Sequence, residues 1–162
     1  MKILITGGAG YIGTSLVQQL AEQPDVQEIV VYDNLSRGNY NLFISHRMQG
    51  AGKVKFVHGE LLDSRKLRKQ LEGTDVVYHL AAKVTTPFAN TDGHMHEQVN
   101  HWGTAELVYA LEESNVQRLI FTSSTSVYGS SAEEMNELSL PHPSTLYGTS
   151  KLRAEEHVKR LF

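Results

Sequence analysis

The sequence predicts an α/β fold, a doubly wound parallel sheet with helices on both faces, and three observations carry that prediction. Five short runs rich in Val and Ile recur along the chain. The stretches between them have helical periodicity. The runs themselves are apolar nearly throughout rather than alternating, as strands covered on both faces are. KILIT (2–6) is the first strand, and a glycine-rich turn after it opens a helix over 11–23. EIVVYD (28–33) is the second; the Asn- and Gly-containing segment 36–52 then reads as a loop leading into a short helix around 42–48. KVKFVHG (53–59) is the third, followed by a helix over 64–72 with Asp63 as its N-cap and Gly73 as its stop. DVVYHLAA (75–82) is the fourth, RLIFTSS (118–124) the fifth, and a helix over 96–113 joins them. All five strands are expected in the interior. The stretch 130–144, with Pro141 and Pro143, reads as an irregular surface loop, and 145–162 as a last helix with no strand after it.

Length and composition narrow the function classes. The 162 residues fit one domain, and 40% hydrophobic with 20% charged residues is the composition of a packed globular protein. Fifteen basic against 18 acidic side chains, net charge -3, leave no basic excess for a phosphate backbone, so nucleic acid is excluded as a partner. There is no cysteine, hence no disulfide framework and no thiolate metal site. The start runs into glycines after MKILIT, too soon for a signal-peptide core or a membrane span, and a cytoplasmic protein is expected.

Thr6-Gly7-Gly8-Ala9-Gly10-Tyr11-Ile12-Gly13 joins the first strand to the first helix and satisfies G-x-G-x-x-G. Glycines there let a pyrophosphate approach main-chain N–H groups, and the helix N-terminus supplies partial positive charge. Asp33 ends the second strand 20 residues beyond Gly13, where a carboxylate accepts from adenosine ribose hydroxyls. Loop and acid together predict a Rossmann-type dinucleotide site. The carboxylate would repel a 2′-phosphate, which favours NAD over NADP; Arg37 nearby would soften that preference or is simply a solvated loop charge.

Tyr147 and Lys151 stand four apart at the start of the last helix, on one face of it. An ordinary phenol has a pKa of about 10, so a base working near neutrality needs a downward shift of about three units, roughly 4 kcal/mol of preference for the phenolate. The lysine ammonium supplies part of this, and the positive ring of an oxidised nicotinamide would supply more. Ser124 lies at the carboxyl end of the fifth strand, where open α/β sheets bind ligands, and could bond a reacting oxygen beside Tyr147. For Ser123, Thr125 and Ser126, turn or capping chemistry is as good a reading as function.

Taken together, TGGAGYIG, VYDNLSRG, HLAA (79–82), VNHWGTAELVYAL, SSTSVYG and LYGTSK resemble the extended short-chain dehydrogenase/reductase family, in its NAD-dependent nucleotide-sugar epimerase/dehydratase branch. The resemblance covers the whole chain. It implies that Gly7, Gly10 and Gly13 carry the pyrophosphate, Asp33 the adenosine ribose, Ala81 and Lys83 the nicotinamide side, and Ser124, Tyr147 and Lys151 the chemistry, Lys151 also binding the nicotinamide ribose. Tyr11, Ile12, Asn34, Glu60, Leu61, Ala82 and Asn100 complete the implied cofactor set. The family's Asp-hydrophobic pair after the third strand is Glu60-Leu61 here. The acidic pair of dehydratases is replaced by Thr125 and Ser126, which disfavours elimination. The implied activity is epimerisation of a nucleotide-sugar, a UDP-sugar, by transient oxidation and re-reduction; a sugar or carbonyl reductase and a non-catalytic dinucleotide-binding fragment are the alternatives. Family members continue into a C-terminal substrate domain, so residues 1–162 are expected to be the NAD-binding half, truncated before that domain, with the sheet edge beside 118–124 exposed.

His94, His96 and His101 lack the His-Glu-x-x-His spacing of a metal site and read as surface imidazoles. Asn34-Leu35-Ser36 matches a glycosylation sequon in a chain with no sign of secretion. Trp102, Leu107, Val108 and Leu111 lie on a helix that forms a two-fold face in relatives, which implies a homodimer; intramolecular core is the simpler reading of each residue alone.

Overall fold

A computed structural model of the chain describes residues 1–44, 48–84, 92–131 and 134–162. Its strands are β1 (Lys2–Thr6), β2 (Glu28–Asp33), β3 (Val54–His58), β4 (Val76–His79) and β5 (Arg118–Phe121), with helices α1 (Tyr11–Ala21), α2 (Asn41–Ile44), α3 (Ser64–Leu71), α4 (Gly93–His96), α5 (Gly103–Glu112) and α6 (Leu146–Val158). All pairings are parallel, in the order β3-β2-β1-β4-β5. This is the doubly wound order, in which the chain starts at the centre and winds out to either side.

The apolar character of β1 and β2 follows from their place. Ile3, Ile5, Ile29 and Val31 face one core with Ala9, Val17, Ala21, Val26 and Leu42, against α1; Leu4, Val30 and Tyr32 face the other with Leu67, Leu71, Leu107, Ala110 and Leu111, against α3 and α5. Alternate residues thus enter opposite cores. The edge strands are different. In β3, Lys55 and His58 are exposed and the rest half-buried, and in β5 Arg118 is exposed and Leu119, Ile120 and Phe121 are half-buried. The expectation that every strand is interior therefore fails at the two edges, where only one neighbouring strand is present among the described residues.

β1 and β2 have the expected bounds. β3 starts one residue later because Ala51–Lys53 forms a 3₁₀ turn, and β4 ends at His79 rather than Ala82. β5 ends with it, its last ladder bond running from Thr122 N to His79 O at 3.3 Å. Asp63 caps α3 as expected, accepting from Lys66 N at 3.1 Å. The helix expected over 96–113 begins earlier, as α4, and passes through a π segment (Glu97–Trp102) before α5. Asn41–Ile44 is the described part of the short helix expected over 42–48; residues 45–47 lie outside the described set. The irregular stretch over 130–144 is confirmed for its described residues, 132–133 lying outside them. No helix among the described residues is long and apolar enough to cross a membrane.

One buried polar chain ties β1 to β4 and α5. Thr104 Oγ1 donates to Asn100 O at 2.6 Å, so it accepts from His79 Nε2–H at 2.9 Å. That tautomer leaves His79 Nδ1 to accept from the Thr6 hydroxyl at 2.6 Å. Burial, with the Lys151 charge adding to it, pulls the His79 pKa down to about 3, so the ring is neutral and both nitrogens are matched. Thr104→Val keeps the shape and leaves a buried N–H unsatisfied; it is expected to lower the unfolding free energy by about 1–3 kcal/mol. Urea denaturation measures this, and an unchanged midpoint would contradict the assignment.

Candidate functional site

The site lies at the carboxyl ends of the strands. Gly7 has φ +72°, and a Cβ there would fall 2.5 Å from Ala81 N, so the turn after β1 and the exit of β4 touch backbone on backbone. Gly10 is the N-cap of α1 and no side chain among the described residues caps it, nor does an acid stand in the first turn, so N–H groups of that turn are left for a ligand. Tyr11 and Ile12 are exposed at the lip, and Gly13 is buried behind the loop. Asp33 steadies its flank: Oδ2 accepts from Ala9 N at 3.1 Å and Oδ1 from Leu35 N at 2.7 Å. Each oxygen keeps acceptor capacity for a second donor. These features form a seat with backbone donors at the start of α1 and a carboxylate at one end, the chemistry that an adenine dinucleotide requires.

The remaining adenosine-side residues pair with one another. Asn34 Nδ2 donates to Glu60 Oε1 and Oε2 at 3.1 and 3.0 Å, and the Tyr32 hydroxyl donates to Glu60 O at 2.8 Å. Leu61 is buried against Gly103, whose added Cβ would fall 2.8 Å from Leu61 Cδ1. Its side chain therefore belongs to the core.

On the opposite side Asn100, fully buried in the π segment, grips the chain after β4. Its Oδ1 accepts from Lys83 N at 2.7 Å, and its Nδ2 donates to Lys83 O at 2.9 Å and to Ser150 Oγ at 3.0 Å. Ser150 Oγ in turn donates to Tyr147 O at 2.8 Å. One amide thus sets 81–83 and the first turn of α6 relative to each other. Ala81, Ala82 and Lys83 are half-buried beside it.

Tyr147 is half-buried and Lys151 only 2% exposed. Lys151 Nζ donates to Thr122 O at 2.6 Å and stands 4.2 Å over the Phe121 ring. Desolvation lowers its pKa to about 8, with Glu155 opposing the shift. Ser124 Oγ accepts from Ser126 N at 3.2 Å, capping the 3₁₀ turn Thr125–Tyr128, and its own proton remains available to a ligand. Gly148 lies against Ser126 O with no room for a Cβ, so this turn and the first turn of α6 are in contact. Ser123 donates to Glu155 Oε1, a purely positional bond. A shallow cavity lined by Thr125, Ser126, Tyr128, Gly129, Ser131 and Met135 opens beside the turn.

His96 is a site residue that the sequence reading placed on the surface. It is 1% exposed, its Nδ1 donates to Lys83 O at 3.2 Å, and its ring lies edge-on to Tyr147 with centroids 6.0 Å apart. The surface reading fails because the helix begins at Gly93 and turns His96 inward. Its spacing of four from Asn100 was the available signal, since both then reach the same carbonyl. His101 is also mostly buried, its side chain 15% exposed.

Comparison with known proteins agrees with this geometry. The chain matches the NAD dependent epimerase/dehydratase family over residues 3–161. It is 32% identical over 160 residues to dTDP-D-glucose 4,6-dehydratase of Mus musculus, covering 95% of this chain and 44% of that protein. It is also 32% identical over 160 residues to UDP-glucose 4-epimerase of Erwinia amylovora, covering 96% and 47%. Among solved structures, DesIV, a dTDP-glucose 4,6-dehydratase from Streptomyces venezuelae with NAD bound, superposes with a TM-score of 0.87 at 28% identity, covering 99% of this chain and 51% of that one. UDP-glucuronic acid 4-epimerase from Bacillus cereus in complex with NAD gives 0.82 at 31%, covering 99% and 52%. The chain therefore spans about half the length of the relatives it matches. With the seat, the Tyr147–Lys151 helix and the family match in agreement, the chain belongs to the NAD dependent epimerase/dehydratase family.

Proposed function

We propose that the chain is the dinucleotide-binding half of an NAD-dependent epimerase of nucleotide-sugars, UDP-sugars in the first place, working as a cytoplasmic homodimer. One observation carries the reading: α6, bearing Tyr147 and Lys151, is held by Asn100 and Ser150 to Lys83, two residues after the Ala81 that abuts Gly7, which supports base and seat facing one cleft. Gly7, Gly10 and Gly13 with the first turn of α1 would hold the pyrophosphate, Asp33 the adenosine ribose, and Ala81, Lys83 and Lys151 the nicotinamide end. NAD, when bound, supplies a reversible hydride acceptor. Tyr147 then takes the proton of the sugar hydroxyl being oxidised and later returns it, while Ser124 donates to the same oxygen. Lys151, whose ammonium donates to Thr122 O, stands one helical turn after Tyr147 on the same helix.

Thr125 and Ser126, in place of an acidic pair, favour epimerisation over elimination, although dehydratases stand among the relatives. The second reading, a reductase that exchanges cofactor each turn, differs by net consumption of NADH. By this proposal the chain of 162 residues binds NAD by itself and converts no sugar, because the residues that would enclose the sugar belong to the other half.

Three outcomes test this reading. In the full-length enzyme Tyr147→Phe is expected to lower kcat by 10²-fold or more with NAD affinity within about twofold, since a positioned base is worth about 10² to 10⁴; retained turnover would refute it. NAD should bind at least tenfold more tightly than NADP by calorimetry, and Asp33→Ser should narrow the gap; equal affinities for the unsubstituted chain would remove Asp33 from the ribose. Lys151 carries a buried charge whose pKa falls from 10.5 to about 8, a cost of about 3 kcal/mol to the unliganded fold below pH 8. Between these pKa values the unfolded chain binds more protons, so stability should rise as pH goes from 8 to 10.5. Lys151→Met should be the more stable protein at pH 7 and lose this rise, as denaturant titrations across that range would show; a less stable variant contradicts the account.

A further inference from the structure

Outside the cleft, the π segment and α6 meet in a second polar cluster that the proposed reaction does not use. Nε2 of His101 lies 3.1 Å from Nε2 of His157, and the two rings are stacked with centroids 5.1 Å apart. Glu97 Oε2 accepts from His101 Nδ1 at 2.9 Å, so neutral His101 presents its Nε2 as a bare lone pair. His157 supplies the proton between the rings, and its own Nδ1 is buried with no hydrogen-bond partner among the described residues.

Two imidazole nitrogens bound to one tetrahedral Zn²⁺ at about 2.0–2.1 Å stand about 3.3 Å apart, close to the spacing here. A carboxylate on the far ring nitrogen is the arrangement that orients metal-binding histidines. Arg153 holds the other oxygen of Glu97 at 2.7 Å, and Arg160 lies over Tyr109 and pairs with Glu112 at 3.4 Å, so both nearby cations are matched by carboxylates. We propose that His101 and His157 form a two-nitrogen site for a first-row divalent cation that prefers imidazole, Zn²⁺ or Ni²⁺, with Glu97 orienting His101 and water completing the coordination shell. No group of three or more His, Cys, Asp or Glu gathers at a metal-binding distance among the described residues, so the affinity is that of a two-ligand chelate. On binding, the His157 proton moves from Nε2 to Nδ1. The one hydrogen bond given up is that between the rings.

The chain carries its own reporter. Trp102 is the only tryptophan and stacks on His101 with centroids 4.7 Å apart. Titrating the whole chain with NiCl₂ near neutral pH should quench its fluorescence to saturation with one ion per chain, and added ZnCl₂ should restore it by displacement. His157→Phe keeps an aromatic ring in the stack and removes the nitrogens; it should weaken binding at least tenfold, with Glu97→Gln weakening it less. Quenching that does not saturate, or the same half-saturation in His157→Phe, overturns the site. Should His157→Phe fail to fold, imidazole ¹⁵N spectra of the unsubstituted chain decide: ZnCl₂ shifts Nε2 of both His101 and His157 if they chelate it, and leaves both in place if they only bond each other.

Discussion

The rest of this structure depends on a contact between two stretches of main chain, Gly7 at the end of β1 and Ala81 just beyond β4. These are neighbouring central strands, joined in register from Ile3 with Val76 to Thr6 with His79, and they part company at their carboxyl ends. In open α/β sheets the crevice for ligands lies at such carboxyl ends, where the strand order reverses. A side chain at residue 7 would occupy the close approach, so the crevice needs glycine there for a steric reason as well as for its positive φ.

Around that contact the fold uses buried polar groups as joints. Thr6, His79 and Thr104 form one, and Asn100 with Lys83 and Ser150 another; both run through Asn100, by its carbonyl and by its amide. Each group is matched, which is what makes burial of so many polar atoms tolerable. A matched network has few alternative arrangements, and that rigidity suits a site whose two halves come from elements far apart in the chain. Lys151 is the exception in kind. Its ammonium is desolvated and held by a carbonyl and an aromatic face, with no carboxylate among the described residues hydrogen-bonded to it. Stability is given up there for a charge in the cleft.

Much of this was legible in the sequence, because the strongest signals are local. β1 and β2 are central, so their residues are apolar on both faces and bounded by turn residues; the glycine loop and Asp33 then follow at fixed offsets. Edge strands read as interior because Val54, Phe56 and Val57 resemble core residues and do pack on the two cores, while having a neighbouring strand on one side only is a tertiary fact. The role of Asn100 as a clamp was hidden, since what it grips, Lys83, is main chain and leaves no mark on side-chain identity. His96 and His157 were hidden by a different cause. Their burial depends on where α4 begins and on how α6 packs against the π segment, neither of which periodicity reports.

The measurement that bears most directly on the central claim is the distance between a bound nicotinamide ring and Tyr147 in this chain. Nuclear Overhauser spectra of the isotopically labelled protein saturated with NAD should show cross-peaks from the nicotinamide ring protons to the Tyr147 ring and to the Lys151 side chain, alongside contacts from the adenosine ribose to the β2 exit near Asp33. Saturable NAD binding with the ribose contacts present and the Tyr147 contacts absent would mean that seat and base do not share a cleft, and the account would be wrong.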